Sequence, residues 1–251
     1  MQWVPTRRAD TFEPYTDKMN ELVQKPARGT RKPAVRSQRK SAQPAAARTH
    51  DPERTMTDIL DVATIEFADK GLSGARIDAI AAATRTSKRM IYYYFNSKEG
   101  LYLAVLEEAY RRIRRTEGDL QLDSLPPEDA LRRLVEFTFD HHAGNEAFIR
   151  IVMNENIERG RYLSRSQIIE DLNIPAIEAI GRIYQRGLAA GQFRQGLDPL
   201  DIHASISALT FFNVSNQYNF GHIFKRDTAA SAARAMRRAN IVEMVVRFVL
   251  R

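Results

Sequence analysis

From residue 51 onward, apolar residues recur every three or four positions, the period of helices with one buried face. Met56, Ile59, Leu60, Ala63 and Phe67 form the first stripe, opened by Asp51-Pro52-Glu53 and closed by Gly71. Residues 75–101 then hold two short segments joined by a turn, with Ile77, Ile80 and Ala81 on one face and Met90, Ile91 and Phe95 on the next. A fourth helix follows, for which Asn96 and Glu99 resemble a capping box, with Leu101, Tyr102, Val105, Leu106, Tyr110 and Ile113 along it to about residue 117. Its apolar residues cover a wide arc, so it is expected to touch two neighbours at once.

Beyond the Pro126-Pro127 break, Leu131, Leu134, Val135, Thr138 and His142 share a stripe that ends at Gly144. Residues 146–159 and 164–171 read as helices. So does 174–190, with Ile177, Ile180, Tyr184 and Leu188 in register. Asp198-Pro199 opens a helix over 200–218, and 229–250 forms the last, with Met236, Ile241, Met244, Val245, Phe248 and Val249. Neither an alternating strand pattern nor an internal repeat is present. The expected fold is all-α with about nine helices: a three-helix head over 51–97 and a larger helical body over 98–251.

Helices of eight to ten residues cannot make a core alone, so the pair within 75–101 must lean on its neighbours. The second of them carries Lys88, Arg89, Tyr92, Tyr93 and Tyr94 in one dense cluster, and what the pair exposes is cationic and aromatic. That is the make-up of a helix-turn-helix whose second helix enters the DNA major groove. The run SKRMIYYYFNSKEGL, together with TMTDILDVATIEFADKG at 55–71, resembles the TetR family of bacterial one-component regulators over about forty-five residues. Two positions depart from that pattern. The family usually opens the second helix with Thr or Ser, where this chain has Ala75 and Arg76, so the cap is lost and Arg76 is left to supply the phosphate contact. The family usually has Gly in the turn, where this chain has Arg85.

Ser87 or Thr86 is expected to cap the recognition helix and bring N–H groups and a hydroxyl near phosphate. Arg89 can fork onto a guanine edge, while Lys88 suits a phosphate. The resemblance implies further contacts to thymine methyls, sugars and phosphates at Tyr92 and Tyr93, and to phosphates at Lys98 and Thr55. The alternative is that the tyrosines pack and the charges form a solvated face. Packing is the preferred reading for Tyr94 and Phe95, and DNA contact for Lys88, Arg89, Tyr93 and Lys98.

Composition changes this picture in one place. The chain has 251 residues, a net charge of +7 and no Cys, which excludes disulfides, thiolate metal sites and a Cys nucleophile. Residues 1–50 hold 11 of the 38 Lys and Arg but only 4 of the 31 Asp and Glu, so the whole excess lies there and the remainder is balanced. Between Leu22 and His50 there is no acid at all, and the bases are spread among Pro, Ala, Ser and Gln. Such a stretch is expected to stay disordered. It reads equally as a solvated extension or as an arm that follows phosphates beside the head. The first ten residues contain no apolar segment of a secretory signal, and no window reaches the roughly 18 apolar residues of a membrane span. A cytoplasmic protein is expected.

The family resemblance also implies a ligand cavity in the body and a homodimer built on its last two helices, that is, on the apolar faces of 200–218 and 229–250. Thr138, His142, Asn156 and Asn213 interrupt otherwise apolar faces and are the candidates for holding an effector, with an unrelated helix or a water as the blander partner. Tyr110, Phe139, Phe148, Tyr184, Phe211 and Phe212 suit an apolar or aromatic effector, though such residues are more often plain core. His141 and His142 point about 100° apart on a helix and have no nearby partner, which argues against a metal site. No cofactor is implied. The expected function is a ligand-released repressor that binds a palindromic double-stranded operator. The alternatives are an activator or nucleoid-associated protein and, from another class, a helical enzyme. Against the enzyme stands the lack of a nucleophile elbow, phosphate loop, zinc motif or paired-carboxylate signature.

Overall fold

The computed structural model describes residues 51–228 and 230–251. The basic stretch 1–50 lies outside the described residues. Helix α1, Pro52–Gly74, starts where Asp51 Oδ1 accepts the N–H groups of Glu53 (3.1 Å) and Arg54 (3.4 Å). Its regular part ends at Gly71, whose φ of 65° breaks the helix, and one further turn runs on to Gly74. Helix α2, Ile77–Ala83, has no side-chain cap, as the Ala75-Arg76 sequence requires. Glu66 of α1 compensates by accepting the Arg76 N–H at 3.0 Å. The turn to α3, Lys88–Phe95, closes with Thr86 N–H on the Ala81 carbonyl and places Arg85 at φ 54°. A left-handed non-Gly residue costs on the order of 1 kcal/mol. The departure at residue 85 therefore leaves the turn in place and adds strain.

Ser87 caps α3 by accepting the Met90 N–H at 3.2 Å. The cap of α4, Lys98–Gly118, is Ser97, which accepts from Gly100 N–H at 2.9 Å. The cap is therefore one residue later than the expected Asn96, and with Gly at residue 100 there is no reciprocal arm, so the expected box with Glu99 does not form. Asn96 instead ends α3 in a positive-φ conformation (62°). Ile59, Phe67, Ile80, Ile91, Leu101 and Tyr102 fill the core beneath these four helices.

The body consists of α5 (Pro127–Gly144), α6 (Glu146–Ile157), α7 (Gln167–Ala189), α8 (Pro199–Ser215), α9 (Gln217–Phe224) and α10 (Ser231–Val249). The two helices expected over 164–171 and 174–190 are one, and Pro175 lies inside it. The helix expected over 200–218 breaks after Ser215, and α9 follows. The described residues thus form ten α-helices with two short 3₁₀ turns, Leu122–Ser124 and Leu163–Arg165. Leu131, Leu134, Val135 and Phe139 of α5 pack with Ile180, Ile183 and Tyr184 of α7, Ile202 and Ile206 of α8, and Ile241, Val245, Val246 and Val249 of α10. Val245 is 1% exposed within this single-chain core, so it is not part of an outer face of α10.

The joint between α3 and α4 leaves no room at residue 100. A Cβ built on Gly100 would lie 2.1 Å from the Phe95 carbonyl oxygen, a backbone atom that also accepts the Ser97 N–H. Gly100→Ala should therefore destabilise the fold by about 1–3 kcal/mol, the range for overpacking. Gly118→Ala, which meets nothing within 4 Å, should stay within about 0.5 kcal/mol of the parent. Urea midpoints at an unchanged slope measure both, and equal midpoints for the two variants would refute the argument.

Candidate functional site

Two regions collect the residues singled out above. The first is the outer surface of α2 and α3. Ile91, Tyr94 and Phe95 face inward, which turns Arg89, Tyr92 and Tyr93 to the outside, with 43% of Tyr92 and 56% of Tyr93 exposed. Ser87 is held by its capping bond, and Thr86 lies half-buried in the turn. Arg76 is exposed at the start of α2. Lys88 is also exposed, but it forms an ion pair with Asp78 of α2, a partner that the sequence pattern did not suggest. The Lys98 ammonium donates to the Ser73 carbonyl at 3.2 Å, and the Thr55 hydroxyl donates to the Asp51 carbonyl at 2.9 Å. The structure thus places all nine residues on α1–α4 or the turns between them.

The second region is a cavity of ≈ 600 Å³ in the body, lined by α4, α5, α6, α7 and α8 and partly open to solvent. It brings Thr138 and His142 together, with Tyr110, Phe148 and Phe211 as aromatic walls. Asn156 is not part of it: the side chain is exposed and donates to the Val152 carbonyl of its own helix at 3.0 Å. Asn213 lies away from it as well, in a separate cleft of ≈ 320 Å³ between α8, α9 and α10. Helical periodicity places both asparagines on apolar faces, but the neighbouring helices decide which face meets the cavity.

Several lining residues were missed. Arg114 of α4 is paired with Glu117, and its guanidinium also donates to Asn173 Oδ1 at 2.9 and 3.2 Å. Nothing in the RRIRR run shows which arginine turns inward. His203 and Ser207 line the same cavity, and Thr210, one turn further along, bonds His142 at 2.9 Å. Their spacing of four and seven on α8 was a usable signal, a polar ridge on an otherwise apolar helix. Among the described residues no group of His, Asp and Glu could hold a metal ion.

α4 and α6 belong to both regions. The start of α4 packs beneath α3, and its end supplies Tyr110, Arg114 and Glu117 to the cavity. α6 supplies Phe148 and Val152, while its Arg150 and Asn154 donate to the Ala68 and Phe67 carbonyls of α1 at 2.9 and 3.4 Å.

Residues 59–105 match the family model for bacterial regulatory proteins of the tetR family, and residues 127–245 match that for the tetracyclin repressor-like C-terminal domain. The sequence is 34% identical to the HTH-type transcriptional repressor NicS of Pseudomonas putida over 188 residues, 75% of this chain and 89% of the relative. The chain belongs to the TetR family. A further likeness, to the HTH-type transcriptional repressor SCO4008 of Streptomyces coelicolor, is 34% over 110 residues, 44% of this chain and 54% of that protein. A solved tetR-family regulatory protein from Rhodococcus RHA1 shares the fold, with a TM-score of 0.62 at 24% identity over 78% of this chain and 97% of that one. Within this TetR-family fold, no helix of the described residues is long and apolar enough to cross a membrane.

The cavity also sets a pH dependence. Burial, reinforced by His141, Arg114 and His203 nearby, pushes His142 from its ordinary value of 6.5 down to about 4. Burial and Arg114 lower His141 and His203 as well. The unfolded chain therefore binds more protons than the folded one below pH 6.5, so stability falls as pH drops from about 6.5 towards 4. For His142 the whole window corresponds to roughly 3 kcal/mol. His142→Gln should lose that part of the slope in urea midpoints measured from pH 8 to pH 4. An unchanged slope would remove His142 from the account.

Proposed function

We propose that this TetR-family regulator is a repressor that holds a palindromic operator as a homodimer and releases it when a small molecule occupies the body cavity. The observation that supports DNA reading best is the division of α3 into a buried face, Ile91, Tyr94 and Phe95, and an exposed one, Arg89, Tyr92 and Tyr93. Arg89 reads a base edge, and the two tyrosines contact sugars and thymine methyls. Thr55, Arg76, Thr86, Ser87 and Lys98 approach phosphates. Lys88 joins them by exchanging Asp78 for a phosphate oxygen.

Pairing of two copies is supported by an exposed apolar stripe. Leu200, Ala204, Ala208 and Phe212 recur every four residues on α8, opposite the buried Ile202, Ile206, Thr210 and Val214. Met236, Met244 and Phe248 are exposed on α10. A C2 interface uses the same patch twice, which suits a palindromic site. Release on ligand binding is supported by the double membership of α4 and α6, since widening the cavity moves helices that also hold α1 and α3. The family's members named above are regulators, and no enzymatic activity is proposed. The reading places the protein in the cytoplasm.

Arg89→Ala should weaken operator binding by about 1–3 kcal/mol and relax preference at one base pair, as read by titration against an operator library. Unchanged affinity and preference would remove Arg89 from base readout. Leu200→Glu combined with Met244→Glu should convert dimers to monomers in sedimentation at micromolar concentration and abolish palindrome binding. A double variant that still sediments as a dimer would place the interface elsewhere.

A further inference from the structure

The chemistry lining the cavity restricts what can enter it. The Thr210 hydroxyl donates its single proton to the Ile206 carbonyl at 2.8 Å, and its oxygen also lies 2.9 Å from His142 Nδ1. With that proton committed to the carbonyl, Thr210 accepts from His142 Nδ1–H. With the hydroxyl proton so placed Nε2 keeps its lone pair, whereas turning that proton to Nδ1 would leave the hydrogen on Nε2. Nε2 has no hydrogen-bond partner among the described residues, although His142 is only 5% exposed and lines the cavity. Burial keeps the ring neutral, so with the hydroxyl proton on the carbonyl Nε2 remains an acceptor near neutral pH.

Charge is already balanced. The lining residues include two arginines, Arg114 and Arg165, and two glutamates, Glu117 and Glu170, of which Arg114 and Glu117 form an ion pair. The Arg114–Glu117 pair is shielded, with side-chain exposures of 15% and 11%, and Asn173 occupies the guanidinium as well. In the interior an anionic ligand would have to break that pair, which is unfavourable; the other lining cation, Arg165, is exposed and lies over the Tyr162 ring, so it offers a counter-charge only at the solvent-facing margin. The walls are flat. Phe148 lies nearly parallel to the His142 ring, with centroids 6.0 Å apart and 28° between planes, and Phe211 meets that ring edge-on at 6.2 Å.

We propose that the cavity takes an uncharged, planar aromatic or heteroaromatic molecule that donates an O–H or N–H hydrogen bond to His142 Nε2. The inference rests on the reading of this cavity as the effector site and adds the class of effector.

Four naphthalene probes of similar shape separate the requirements: 2-naphthol (neutral, donor), 2-methoxynaphthalene (neutral, no donor), 2-naphthoate (anion, no donor) and 6-hydroxy-2-naphthoate (anion, donor). Binding to the full chain is measured by calorimetry at pH 7.5, with operator retention followed in parallel. 2-Naphthol should bind at least tenfold more tightly than each of the other three. His142→Phe should abolish its advantage over the methoxy compound. Thr210→Val, which frees Nδ1 and lets the tautomer switch, should shrink that advantage in a protein of nearly unchanged shape. Equal or tighter binding of 6-hydroxy-2-naphthoate overturns the charge argument, and equal binding of the two neutral probes overturns the donor argument. No binding by any probe up to millimolar concentration overturns the class as a whole. Probe binding with the expected selectivity but no operator release leaves the ligand class standing and overturns the effector reading instead.

Discussion

Tyr102 is the residue on which both halves of the molecule close. It is 2% exposed on α4, with its ring edge-on to Phe67 of α1 at 5.2 Å and to Tyr162 at 5.3 Å. Phe67 belongs to the core of the head, whereas Tyr162 belongs to the connection that leads into the cavity wall. Buried Glu155 of α6 fixes that connection by accepting the N–H groups of Tyr162 (2.7 Å) and Leu163 (3.1 Å) on one carboxylate oxygen. Burial, and then the charge of Glu155, raises the Tyr102 hydroxyl well above its ordinary range. A close-packed aromatic column of this kind transmits displacement instead of absorbing it, because interiors have few voids to collapse into.

The cavity follows from the same arrangement. Tyr102, near the start of α4, packs on Phe67 of α1, and Arg114 and Glu117 are paired near the other end of the same helix. Glu107, at the middle of α4, accepts from the Ser166 hydroxyl at 2.7 Å, and Ser166 in turn caps α7. The helix that carries the head thus also sets the start of the helix forming the cavity floor. α4 and α6 both line the cavity and both pack against α1.

Much of this was legible in the sequence, because local rules and global fold agree there. Asp51, Ser87 and the buried positions Ile91, Tyr94 and Phe95 behave as their spacing demands, since capping and helical period act over four residues and need no partner to be known. The Arg85 turn is another such case, where the chain accepts a left-handed residue and keeps the connection. Where two signals competed, the reading slipped. Asn96 and Ser97 are both good caps, and only the path of the chain into α4 selects Ser97. Pro175 resembles a break, yet packing of Ile169, Ala176, Ile180 and Ile183 on one buried face keeps α7 continuous across it.

The sequence by itself determined the helical class, the head, the order of elements and the exposed chemistry of α3, because each depends on residues close together in the chain. Which polar residues meet in the cavity was decided only by tertiary structure. Thr138, His142, His203 and Arg114 come from three helices, and their faces converge through the packing of α5 against α8 and of α4 against α7. The sequence marks Asn156 and Asn213 as equally polar interruptions, but the rotation of their helices turns them elsewhere. Val245 shows the same limit for the last helix. Its apolar character is evident from the sequence, but only the packing of α10 against α5 and α8 decides that it belongs to the core and leaves Met244 and Phe248 for the surface.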